Sequence, residues 1–101
     1  MVGRLALAAQ IMDGAVEFWK ASTGGSKADF AEESGLWKTH PDTNGWRRTA
    51  TLDKYLDPLR IPRLPKWKTI FATVEFACRG REEEPRAREL SLRARELRNL
   101  L

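Results

Sequence analysis

Few residues in this chain have side chains suited to chemistry, and they are scattered. His40 is the sole histidine; with Asp42 beyond Pro41 it pairs a general base with a carboxylate of the kind that orients one. Pro41 and Asn44-Gly45 mark that stretch as a turn, however, and a solvated turn fixes no catalytic pair. Cys78 is the only cysteine. It excludes an internal disulfide, implies a reducing, cytoplasmic setting, and with one distant histidine offers no metal-ligand spacing. Its place on an apolar helical stripe is that of an inert core thiol. Glu82-Glu83-Glu84 lacks the alternating ligands of a calcium loop. Thr23-Gly24-Gly25-Ser26-Lys27 lacks the spacing of a phosphate-binding loop, and no strand precedes it. The residues therefore point to no catalytic group, no metal and no cofactor, and the chain reads as a non-enzyme.

Charge is more informative. The 101 residues carry 18 Lys and Arg against 14 Asp and Glu, a net charge of +4. Residues 1–36 are net acidic and residues 69–101 nearly balanced, whereas residues 37–68 hold eight basic side chains against three aspartates. Lysine and arginine neutralise phosphates and release counterions, and an aromatic ring among them can stack on a base. The candidate nucleic-acid contacts are Lys38, Arg47, Arg48, Arg60, Arg63, Lys66 and Lys68, with Trp46 as the ring beside the Arg47-Arg48 pair. On this reading Arg47 and Arg48 serve binding alone and have no part in stability. Trp37 and Trp67 have apolar neighbours at core spacing and are assigned to the interior. The residue types do not separate DNA from RNA.

The elements that must position these residues are mostly helical. Residues 4–21 carry two apolar stripes, Leu5-Ala9-Met12-Val16-Trp19 and Leu7-Ile11-Gly14-Phe18, which leave Gln10, Asp13, Glu17 and Lys20 as a narrow polar edge. The first nine residues open like a secretory leader, but Asp13, Glu17 and an unbroken helical period argue against one. An almost wholly apolar helix needs cover on two sides, from its own chain or, the favoured expectation, from a second copy. A short helix follows over 27–34, with Ser26 and Asp29 spaced as a capping box and Gly35 as its stop. Arms at 36–40 and 46–50 around Pro41-Asp42-Thr43-Asn44-Gly45 predict a small hairpin. Thr51 is placed to cap a helix over 52–56 that Pro58 ends. Pro58, Pro62 and Pro65 stiffen a connector, and a helix over 65–79 then carries Trp67, Ile70, Phe71, Val74 and Cys78 on one face, with Phe76 opposite. A last helix over 85–100 has a seam of Ala87, Leu90, Ala94, Leu97 and Leu101, with Glu89 and Arg93 spaced to pair.

The expected fold is all-α, a small bundle of four to five helices with a short β-hairpin around residues 36–50. Residues 1–80 form a helical domain with the basic central segment. Residues 81–101 form an amphipathic helix that packs on it or on a partner. Phe30-Ala31-Glu32-Glu33-Ser34-Gly35-Leu36 resembles the first helix and turn of a helix-turn-helix. Pro41, Asn44 and Gly45 occupy the place of the recognition helix, so that motif is not assigned. Two functions fit these features. One is a small accessory or regulatory protein that binds nucleic acid, as an oligomer or beside a larger partner. The other is a helical adaptor that binds only protein, through the first and last helices. No apolar run is long enough to cross a membrane.

Overall fold

A computed structural model describes residues 3–101; Met1 and Val2, where the leader-like stretch begins, lie outside the described residues. The chain forms α1 (Arg4–Thr23), α2 (Lys27–Ser34), β1 (His40–Pro41), β2 (Arg47–Arg48), α3 (Ala50–Leu56), α4 (Trp67–Cys78) and α5 (Pro85–Leu100). The two apolar stripes of α1 explain the arrangement: α1 touches each of the other four helices. Ala9, Met12, Val16 and Trp19 are buried on one side, and Leu7, Ile11, Gly14 and Phe18 on the other. The cover expected from a second copy thus comes from the chain itself, and α1 presents no apolar face that needs one. The last helix behaves likewise. α5 packs on α1 and α4, burying Ala87, Leu90 and Leu97 and partly burying Ala94, while Leu101 at the end of the seam is exposed. Glu89 pairs with Arg86 at 3.0 Å instead of with Arg93, whose guanidinium donates to Gln10 Oε1 on α1 at 2.9 Å.

Two aromatic clusters tie the elements together. Phe76 finds its second cover against Phe30, 5.5 Å between ring centroids, and against Trp19, 6.2 Å; Trp19 and Phe30 meet edge to face at 5.3 Å. This cluster joins α1, α2 and α4. A Cβ on Gly25 would stand 2.6 Å from the Trp19 ring, so the α1–α2 turn closes against Trp19 only because residue 25 has no side chain. In the second cluster Trp37 packs on Tyr55 at 4.8 Å, and its indole N–H donates to Thr73 Oγ1 at 3.0 Å, inside the protein. Tyr55 Oη accepts the Lys66 backbone N–H at 2.9 Å. The segment after α2, α3 and the start of α4 are thereby fixed to one another. Trp37 is core as expected. Trp67 is only half-buried, because α4 begins at Trp67 and not at Pro65, leaving it in the first turn. α3 also starts earlier than expected: Thr49 occupies the N-cap position, its hydroxyl donating to Asp53 Oδ1 at 2.9 Å, and Thr51 lies exposed in the first turn.

The hairpin pairs His40 with Arg48 and Pro41 with Arg47, antiparallel. Its turn is built on Asp42, whose Oδ1 accepts the N–H of Asn44 at 2.8 Å and of Trp46 at 3.0 Å, while Gly45 adopts a positive φ of 81°. Strands of two residues cannot hold a ribbon in water unaided. Side chains of α2 hold this one. Arg47 donates to Asp29 Oδ1 at 2.8 Å and also to Glu32 Oε1, and Glu32 Oε2 accepts the Thr39 hydroxyl at 2.8 Å. Both arms are thus tied to one helix. Asp29 completes the expected capping box with Ser26. The Ser26 backbone N–H, which donates to Asp29 Oδ2 at 3.0 Å, and then Arg47 hold the Asp29 carboxyl below its ordinary range; the Thr39 hydroxyl, then Arg47, do the same for Glu32.

Three outcomes follow from this packing. Thr73→Val removes the acceptor of a buried indole N–H and is expected to destabilise the fold by about 1–3 kcal/mol. The loss should shrink markedly in a Trp37→Phe background, which chemical denaturation of the double-mutant cycle would show. Gly25→Ala forces the Trp19 ring to move and is expected to lower stability by about 1–3 kcal/mol in the same assay. The third concerns acid. Because Asp29 and Glu32 have lowered values in the folded state, their contribution is complete above the ordinary carboxylate range and is lost as pH falls through the folded values. Protection of the hairpin amides, taken as exchange relative to the intrinsic rate at each pH, should therefore hold steady near neutral pH and fall below about pH 4. Arg47→Gln should expose those amides already at neutral pH and make the acid response shallower.

Candidate nucleic-acid interface

All eight residues selected from the sequence are solvent-exposed, and they come from three places. Lys38, Trp46, Arg47 and Arg48 lie on or beside the hairpin, Arg60 and Arg63 on the α3–α4 connection, and Lys66 and Lys68 at the start of α4. The fold brings five of them around the first turn of α3. On one side an open concavity of about 430 Å³ is edged by Arg47, Arg48 and Arg60, with Thr49, Ala50 and Asp53 from α3 and Lys27 from α2. On the other side a concavity of about 300 Å³ is edged by Lys38 and Lys66, with Thr51 from α3 and Thr69 from α4. Ala50 and Thr51 are exposed between the two. Trp46, Arg63 and Lys68 line neither concavity.

These cations differ in how far they are already committed. Arg47 is held by two carboxylates of α2, which corrects the expectation that it serves binding alone: it is the hairpin's anchor. Arg48 lies 3.5 Å from Asp42 Oδ2, but its side chain is 73% exposed and free to turn outward. Lys27 pairs with Asp53. Partial burial pushes the Asp53 carboxyl up, but Lys27 and the Thr49 hydroxyl outweigh it and keep it ionised below the usual range. Lys38, Arg60, Arg63, Lys66 and Lys68 have no carboxylate within ion-pair distance among the described residues. The uncommitted charge therefore comes from the α3–α4 connection, the start of α4 and Lys38.

Other sequence candidates are accounted for by local structure. Asp42 does not orient His40. Its Oδ1 is filled by two backbone N–H groups and its Oδ2 faces Arg48; those contacts overcome partial burial and lower its carboxyl. Cys78 is buried, and that burial pushes its thiol above its ordinary value, away from the thiolate. The Gly24-Gly25 stretch is the α1–α2 turn. Among the described residues no group of His, Cys, Asp and Glu is placed to hold a metal, and no helix is long and apolar enough to cross a membrane. The sequence reading missed the α3 surface itself, Ala50, Thr51 and Lys54, because Thr51 was assigned as a cap. The buried Leu52 and Tyr55 were the available signal, since they face α3 inward and leave residues 50, 51 and 54 outside.

No protein-family model matches the chain, and neither does any curated protein sequence. A solved structure does: the crystal structure of the DNA-binding domain from the sensor histidine kinase ChiS of Vibrio cholerae. The two share 31% sequence identity and a TM-score of 0.86, over 96% of this chain and 91% of the ChiS domain. With one fold spanning nearly the whole of both chains at that identity, this chain belongs to the family of the ChiS DNA-binding domain.

Proposed function

We propose that this chain binds duplex DNA, setting the first turn of α3 into the major groove while the cations on either side take the flanking phosphates. One observation carries the reading. The small exposed side chains of Ala50 and Thr51 sit between two concavities, edged by Arg48 and Arg60 on one side and by Lys38 and Lys66 on the other. A helix enters the major groove of B-form DNA, about 12 Å wide, and small residues at its tip let the backbone approach the base edges. Thr51 can bond a base edge or touch a thymine methyl, and Lys54 lies further along α3. The major groove of duplex RNA is too deep and narrow for such an approach. Single strands are usually gripped by rows of aromatic rings, but Trp46 is the one large aromatic side chain counted as exposed among the described residues. The likeness to a domain described as DNA-binding points the same way.

The test is fluorescence anisotropy with duplex DNA, single-stranded DNA and duplex RNA at several salt concentrations. Duplex DNA should bind tightest, and the four cations edging the two concavities should by themselves contribute about −3.6 to the log–log salt slope. Arg60→Ala and Lys66→Ala should each weaken binding and reduce that slope by about 1, with unchanged melting temperature. Thr51→Ala should leave the slope alone and blunt discrimination between sequences. Binding that ignores salt, or that prefers single strands, would refute the proposal. Arg47→Gln is expected to weaken binding together with hairpin protection, which separates an anchoring role from phosphate contact.

A further inference from the structure

The α3–α4 connection, residues 57–66, holds the two most exposed large apolar side chains described. Leu59 is 93% exposed and Leu64 91%; Trp46 is next at 73%, and the remaining three lie near half. The connection is not slack. Pro58, Pro62 and Pro65 restrict its backbone, and Ile61 and Pro65 are buried. Asp57 accepts the N–H groups of Arg60 and Ile61 on its carbonyl, at 3.1 and 3.0 Å, and that of Leu59 on Oδ1 at 2.9 Å. At the far end Tyr55 Oη receives the Lys66 N–H. Leu59 and Leu64 are therefore held outward by a fixed backbone and have not simply failed to pack.

Each exposed leucine neighbours an exposed arginine, Arg60 beside Leu59 and Arg63 beside Leu64. Neither arginine has a carboxylate within ion-pair distance among the described residues, and the loop's one acid, Asp57, turns its Oδ1 back to the backbone. A rigid loop that offers apolar tips flanked by free cations matches the minor groove of DNA, whose sugar-lined walls run between two rows of phosphates and where apolar side chains wedge between base steps. Arg60 edges the concavity on one side of α3, and Lys66, closing the loop, edges the other. The loop thus borders the face assigned above to the major groove.

We propose that residues 57–66 are a second DNA-contacting element: Leu59 and Leu64 enter the minor groove adjoining the segment read by α3, and Arg60 and Arg63 take its phosphates. The inference rests on the duplex-DNA reading, and the test keeps the two apart. A duplex selected from a random-sequence pool by the wild-type protein is the probe, with affinity, salt slope and hydroxyl-radical footprint as readouts. Leu59→Ala with Leu64→Ala should keep the wild-type melting temperature, since both side chains are in solvent. It should lose affinity about tenfold at an unchanged salt slope and uncover a minor-groove patch that the wild type protects. Arg60→Ala with Arg63→Ala should lower the slope by about 2. If the leucine variant binds as the wild type does, or leaves the same footprint, the loop does not enter the groove and the reading of α3 stands. If the wild type selects and binds no duplex, both proposals fall.

Discussion

The Arg47 guanidinium, gripped by Asp29 and Glu32, is the contact on which the exposed surface depends. A ribbon of two residues per strand has too few backbone bonds to persist in water. Nor does it bury anything of its own, since all four strand residues are exposed. Its position therefore comes from α2, and α2 is in turn fixed by Phe30 in the aromatic cluster with Trp19 and Phe76. Through this chain of contacts the core sets where Trp46 and Arg48 stand and where β2 delivers the chain into α3. A fork geometry matters here. One guanidinium reaches two carboxylates a helical turn apart, which a lysine ammonium does not reproduce.

The same contacts explain how an acidic first third coexists with a basic surface. Asp29 and Glu32 are spent on Arg47, and Asp53 on Lys27, so these acids hold elements together; of the three, Asp53 shares a concavity with the free cation Arg60. Lys38, Arg60, Arg63, Lys66 and Lys68 keep their charge unpaired by any described carboxylate. The net charge of +4 understates the local field, because cancellation in the sum is not cancellation in space.

Much of the fold was legible in the sequence where local rules act without competition. The capping box of Ser26 and Asp29, the turn at Asn44-Gly45 and the inward face of Phe30 follow from spacing alone. Boundaries shifted by a residue or two: Thr49 bonds Asp53 one helical turn on and starts α3 early, and the buried Pro65 stays outside α4. The double stripe of α1 was read correctly as needing two-sided cover, but a sequence does not say whose. With α2, α3, α4 and α5 all reaching α1, a chain this short does enclose one helix. Of the site, the charged residues were legible as a composition and their division of labour was not. Nothing in the order of residues separates Arg47, an anchor, from Arg48 beside it; the difference lies in which carboxylates α2 brings within reach.

The helix-turn-helix resemblance shows the same limit from another direction. Helix-breaking residues after Gly35 did exclude a helix directly following α2, and the structure has a hairpin there. A connection may be lengthened at small entropic cost when its ends are held. Here they are held: Lys27 and Asp53 link α2 to α3, and Arg47 ties the inserted ribbon back to α2. A long, ordered connection thus replaces a tight turn while α3 still shows Ala50 and Thr51 to solvent. Between α2 and α3 the order comes from side-chain ion pairs, Arg47 with Asp29 and Glu32 and Lys27 with Asp53, where a tight turn would order the chain through its backbone.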